Sequence, residues 1–168
     1  MGNKDMSKVQ KLTLSAMVIA LYVTVLYFTQ SFSFGAYQIR IATALYALSY
    51  LFPFLVLPFG LANFIANMLF GGLGILDMCG GFLVGVVTAA CIVGIRRLRW
   101  NRFFIAIPIV LVPGFGVSIW LSYLLKMPYL PLAASLCIGQ AIPSVCGVLL
   151  VKAVERVGAG KLVKTREA

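Results

Sequence analysis

Asn63, Asn67 and Asp77 are the residues whose types and spacing suggest chemistry, because they interrupt an otherwise apolar run, GLANFIANMLFGGLGILDMCGG, from Gly60 to Gly81. Asn63 and Asn67 are four residues apart and share one face if the run is helical. A glycine-rich break (Gly71, Gly72, Gly74) separates them from Asp77, the only acidic residue between positions 5 and 155. Amide side chains offer paired donors and acceptors to the edge of a ring, and a carboxylate accepts from ring N–H groups or pairs with an amine. Gln38 and Arg40 would join this set if neighbouring helices brought them to the same end, and Gln140 is a further amide in an apolar block. Tyr37, Tyr46 and Trp120 could stack on a ring face. The set suits a receptor for a small planar, polar molecule.

Catalysis is a poorer fit. The remaining acids, Asp5, Glu155 and Glu167, lie towards the polar ends, and there is no histidine. One carboxylate without a histidine or a second carboxylate is a weak basis for hydrolysis or group transfer, so no catalytic residue is assigned. The four cysteines, Cys79, Cys91, Cys137 and Cys146, lie in apolar segments without a CxxC pair and read as packing residues, with no metal site. Gly158-Ala159-Gly160-Lys161 is superficially like a phosphate loop, but Glu155 replaces the first glycine and Leu162 the final Ser/Thr. Any ATP that drives this protein is therefore expected to be bound by separate subunits, and no cofactor is expected.

Each polar residue also has a structural reading. Asn63 and Asn67 could bond between helices. Asp77 could cap a helix N-terminus or pair with Arg40, and Arg40 could instead snorkel to the interface. The aromatic residues could form an interfacial belt. Gln140 could satisfy a carbonyl freed by Pro143.

The elements that must position these residues are membrane helices. The chain has 168 residues, 62% hydrophobic and 11% charged, whereas soluble domains carry about 25% charged residues. One all-α integral membrane domain over 1–168 is expected, since backbone exposed to lipid must satisfy its own hydrogen bonds. Apolar blocks predict spans at about 12–30, 37–52, 54–70, 75–95, 103–125 and 131–154. The first is too long for a signal-peptide core. The second and third together are short for two crossings, which predicts one short, tilted or partly re-entrant helix. The fifth contains Pro108 and Pro113-Gly114-Phe115-Gly116 and is expected to kink or unwind near mid-membrane.

Charge fixes the expected topology. Twelve of the fourteen Lys and Arg residues fall in the N-terminal segment, the stretch Arg96 to Arg102 and the C-terminal tail; Arg40 and Lys126 are the others. With all three basic regions cytoplasmic, four spans must precede Arg96 and two must follow it. This six-helix bundle has both termini inside and the Gly71–Asp77 turn outside. The net charge of +10 is thus a topology signal at the cell membrane, not one for nucleic acid. Ala16 and Ala20, spaced i, i+4 in the first span, form a small-residue strip of a kind common in membrane helices.

SFGAYQIRIATALYAL, followed by LFPF, GLANFIANMLFGGLGILD and a glycine-rich fourth helix, resembles the QueT family of queuosine-precursor transporters. The resemblance extends from Lys11 to Val154 and is strongest from Phe34 to Ala90. It implies the substrate-binding S component of an energy-coupling factor (ECF) transporter, with six helices, that captures queuosine or a 7-deazaguanine precursor such as queuine. It also implies partners: a transmembrane coupling subunit and two ATPase subunits, with Ala16 and Ala20 matching the family's docking strip on helix one. Thr43 and Gln140 stand where the family often has acids, and Val112 to Gly116 replaces a more polar run. Those departures point to a less cationic ligand, queuine or queuosine itself. The alternatives are an S component for another vitamin or nucleobase, and a membrane subunit that transports nothing.

Overall fold

Ser7 and Gln10 open the first helix with a reciprocal capping box: the Gln10 amide donates to Ser7 Oγ at 3.2 Å, and the Ser7 amide to Gln10 Oε1 at 2.9 Å. The computed structural model describes residues 6–33, 38–71 and 73–166, with side chains of residues 32 and 158–166 not described. Asp5, Phe34, Tyr37, Gly72 and Glu167, all named above, lie outside the described residues. The chain is all-helical: α1 (Lys8–Ser33), α2 (Val56–Ala66), α3 (Ile75–Arg97), α4 (Ala106–Leu125) and α5 (Tyr129–Arg166), with shorter 3-10 and π segments between them. Among the described residues, five helical stretches are long and apolar enough to cross a membrane: Lys8–Ser31, Pro53–Gly71, Ile75–Arg97, Arg102–Leu125 and Tyr129–Val157.

The second predicted span takes a different form. Instead of an α-helix over 37–52, a 3-10 helix runs from Ile41 to Tyr50. Such long runs are uncommon, and the physical gain is reach: ten residues extend about 20 Å as a 3-10 helix against about 15 Å as an α-helix. Its N-terminal neighbour Arg40 bonds to Asn63 and Asn67 beside the start of α3, while Tyr50 and Leu51 at its other end accept from Arg96 at the end of α3. Three buried alanines, Ala42, Ala44 and Ala47, let it pass through the middle of the bundle, in contact with α1, α3, α4 and α5. Around it, α1 packs on α2, α2 on α3, α3 on α4 and α4 on α5.

The fifth block does not unwind. α4 continues from Ala106 to Leu125 with Pro113 inside it. A proline removes only one donor, and membrane helices tolerate that where neighbours pack closely. Here Gly114 lets α5 approach so near that a Cβ on it would lie 2.3 Å from Cys137 Sγ. The irregular helix is the third predicted block, where α2 passes into a π-helical turn, Asn67–Gly71. Such turns are frequent at functional sites.

Candidate functional site

Arg40, Asn63, Asn67 and Asp77 come together at one end of the bundle, all four nearly inaccessible. Asn63 lies on α2 and Asn67 on the π turn that extends it, so the shared face expected from their spacing is kept. The Arg40 guanidinium donates through Nη1 to Asn63 Oδ1 at 3.1 Å and through Nη2 to Asn67 Oδ1 at 2.8 Å. Arg40 is therefore an interior residue, not a snorkelling anchor. Asn67 Nδ2 donates to the Asp77 carbonyl at 2.9 Å, so the link between Arg40 and Asp77 runs through Asn67.

Asp77 lies in the first turn of α3, which follows Gly74 in a left-handed conformation at φ 87°. A carboxylate is favourable there because the N-terminal turn carries partial positive charge. Its side chain is not a cap: Oδ1 accepts the indole N–H of Trp120 at 3.0 Å. Oδ2 is buried and accepts no hydrogen bond among the described residues. An unsatisfied buried oxygen costs about 1–3 kcal/mol, more when it carries charge. Two glycines make this seating possible. A Cβ at Gly81 would come within 2.5 Å of Asn67 Nδ2, and one at Gly80 within 2.7 Å of the Trp120 ring.

The polar network extends inward to α1. Asn63 Nδ2 donates to the Tyr46 hydroxyl at 2.8 Å, and that hydroxyl lies 3.2 Å from Tyr22 Oη. Tyr46 is fully buried, stacked on Tyr22 with ring centroids 5.7 Å apart and edge-on to Phe59. Across the bundle, Thr43 Oγ1 approaches both the Arg40 carbonyl and Gln140 Oε1 at 2.7 Å, and Gln140 Nε2 donates to the Gln38 carbonyl at 3.4 Å. Gln140 thus meets the segment around Arg40 rather than a carbonyl freed by Pro143. Gln38 itself holds a left-handed backbone at φ 42°.

Gln38, Arg40, Thr43, Tyr46, Asn63 and Gln140 line a cavity closed on its other sides by Val84, Pro113, Val117 and Leu136. Its volume is about 10 Å³, room for about one water molecule. Of the residues predicted from sequence, Gln38, Arg40, Asn63 and Gln140 face this cavity; Asn67, Asp77 and Trp120 form the adjoining cluster. Tyr22 was not foreseen, although a tyrosine flanked by the aliphatic residues Leu21 and Val23 in the first span was a signal. Ala16 and Ala20 are far from the cluster in sequence and exposed, with Met17 and Leu21, on the face of α1 that turns away from buried Val18 and Tyr22.

A family model described as QueT transporter matches residues 12–156. The chain belongs to the QueT transporter family. It is a multi-pass protein of the cell membrane, and its family is one of transporters rather than enzymes. No curated protein and no solved structure matched the chain in the comparisons made. For a QueT family member, a buried arginine, two asparagines and an aspartate with one oxygen unmatched among the described residues, gathered beside a small cavity, form the natural candidate for a solute site.

Proposed function

We propose that this chain is the substrate-capture component of an energy-coupling factor transporter, and that it takes up queuosine or a 7-deazaguanine precursor such as queuine. The observation that carries the reading is the Arg40–Asn63–Asn67–Asp77 cluster, with Asp77 Oδ2 buried and unmatched beside the cavity. A deazapurine offers ring and exocyclic N–H donors to a carboxylate and acceptor atoms to a guanidinium and to amides. The Thr43–Gln140 pair presents no charge, which favours a ligand without a second cation. A bicyclic base exceeds the cavity, so solute entry requires side chains such as Gln140, which donates to the Gln38 backbone carbonyl, to exchange that bond for one to the ligand.

The same reading includes six crossings, with the 3-10 segment as the second. Its ends meet opposite ends of α3, so it runs alongside a full-length span. Both termini and the arginine-rich α3–α4 connection are then cytoplasmic, and the Asp77 cluster opens outward. The Ala16/Ala20 face of α1 docks the coupling subunit, where small side chains allow close helix approach. ATP is hydrolysed by two separate ATPase subunits.

The test is equilibrium binding of radiolabelled queuine and a deazaguanine precursor to the purified protein in detergent. Saturable binding of one of them supports the reading. Binding of a vitamin instead, with none of the deazaguanine set, overturns the substrate assignment. Growth rescue distinguishes transport from a non-transporting role: a strain unable to make queuosine should regain modified tRNA only when this protein and its ATPase partners are present.

A further inference from the structure

Among the described residues, Tyr22 and Tyr46 are the largest side chains that are fully buried. A hydroxyl taken out of water is costly unless it is hydrogen-bonded, so the partners of these two show what they do. Tyr46 lies on the 3-10 helix, where about three residues make a turn and side chains three apart eclipse. Thr43 and Tyr46 therefore share one side of that helix, and Arg40 caps its N-terminal end. All three line the small cavity. The Tyr46 ring is packed by Tyr22, stacked at 5.7 Å, and by Phe59, set edge-on at 5.3 Å. Its hydroxyl is the part that meets the solute cluster, through Asn63.

The hydrogen bonds between these residues run in one direction. A guanidinium has donors only, so Asn63 must turn its oxygen towards Arg40 and its Nδ2 away. That nitrogen donates to Tyr46 Oη at 2.8 Å. With its oxygen accepting from Asn63, Tyr46 directs its own proton to Tyr22 Oη, 3.2 Å away. A Tyr46 proton turned towards Asn63 would favour the opposite amide orientation, which sets an NH2 group against the guanidinium.

We infer that Tyr46 is a positioning residue for solute capture, and that Tyr22 on α1 sets the direction of its proton. Tyr46 holds the Asn63 amide with Oδ1 towards Arg40, and Asn63 in turn holds one arm of the guanidinium. The tyrosine pair thereby fixes the place from which Arg40 exchanges partners with the solute. The role acts through Arg40 and requires no contact between tyrosine and solute. It rests on the proposed solute site and extends that site inward to α1.

Equilibrium binding of radiolabelled queuine to the full chain in detergent tests it, with thermal stability measured on every variant. Tyr46→Phe keeps the ring packing and removes only the acceptor for Asn63, and should weaken binding by about five- to tenfold. Tyr22→Phe should weaken it by about two- to threefold. Because Tyr22 acts through Tyr46, the variant with both changes should bind no worse than Tyr46→Phe alone. Asn63→Asp supplies the rescue: a carboxylate presents an oxygen to Arg40 in either rotation, so adding Tyr46→Phe to it should change affinity by less than about twofold. Undiminished binding by a folded Tyr46→Phe variant overturns the inference. So do additive losses from the two tyrosines, or an equal loss from Tyr46→Phe with and without Asn63→Asp, which a purely structural role predicts. Should Tyr46→Phe not fold, unchanged affinity in Tyr22→Phe overturns it; should Asn63→Asp bind nothing, the tyrosine pair decides. If the wild type binds a vitamin rather than queuine, the substrate assignment fails, and the same variants titrated with that vitamin still decide the role of the tyrosines. A wild type that binds no solute overturns both.

Discussion

Two arginines sit inside this bundle, near opposite ends of α3, and they are held in different ways. Arg40 bonds to the side-chain oxygens of Asn63 and Asn67, which stand on a helix that loosens into a π turn. Arg96 bonds to the backbone carbonyls of Tyr50 and Leu51, which close the end of the 3-10 segment. Side-chain amides can rotate and trade one partner for another, whereas backbone carbonyls at a helix end are fixed by the fold and need a donor at all times. The Arg40 end also contains a buried carboxylate oxygen with no donor among the described residues; the Arg96 end adds an ion pair between Arg102 and Glu155. One end is thus arranged to exchange partners with a solute, and the other to anchor a stretched helix.

The sharpest break in this comparison comes from removing each arginine in turn. Arg40→Gln should reduce solute affinity by at least about a hundredfold, from two charge-assisted hydrogen bonds at about 1.5–3 kcal/mol each, read by equilibrium binding. Arg96→Gln should leave affinity within about twofold and instead lower thermal stability in detergent by about 1–3 kcal/mol, because two partly buried carbonyls lose their donor. An equal loss of binding in both variants would erase the distinction between the two ends.

Smaller changes sharpen it. Asp77→Asn keeps the bond to Trp120 but replaces one carboxylate oxygen with an amide NH2 group, a donor where the carboxylate accepted, and should cost about tenfold in affinity at near-normal expression. A matching loss of folding would make Asp77 structural. Gly81→Ala drives a methyl group towards Asn67 Nδ2 and should weaken solute binding by about five- to tenfold, with overpacking costing about 1–3 kcal/mol shared between site and fold. Ala16→Leu or Ala20→Leu should leave affinity unchanged while lowering co-purification with the coupling subunit; an intact complex would remove the docking role from α1.

Much of the molecule could be read from the sequence because the bilayer leaves few choices. Long apolar blocks bounded by Lys and Arg become helices, and the i, i+4 spacing of Asn63 and Asn67 survives into one face. The polar residues of the site were visible because polarity in an apolar run is conspicuous. What stayed hidden was conformational. Nothing local in Ile41–Tyr50 distinguishes a 3-10 helix from an α-helix; the stretch follows from how far Arg40 and Tyr50 must be separated to meet Asn67 and Arg96. Pro113 suggested a break in α4, but the decisive factor was tertiary, the close contact of Gly114 with Cys137. The irregular turn instead falls at Asn67–Gly71, just before the glycine break that the sequence did display. Gly80 and Gly81 showed in the sequence as part of a glycine-rich fourth helix, and the structure gives them the task of seating Trp120 and Asn67.

The central claim is that the Arg40–Asn63–Asn67–Asp77 end captures the solute. It is tested most directly by titrating radiolabelled queuine against the wild-type protein, Arg40→Gln and Arg96→Gln in the same detergent. The account predicts saturable binding to the wild type and to Arg96→Gln and its loss in Arg40→Gln. Undiminished binding in a folded Arg40→Gln variant would contradict it.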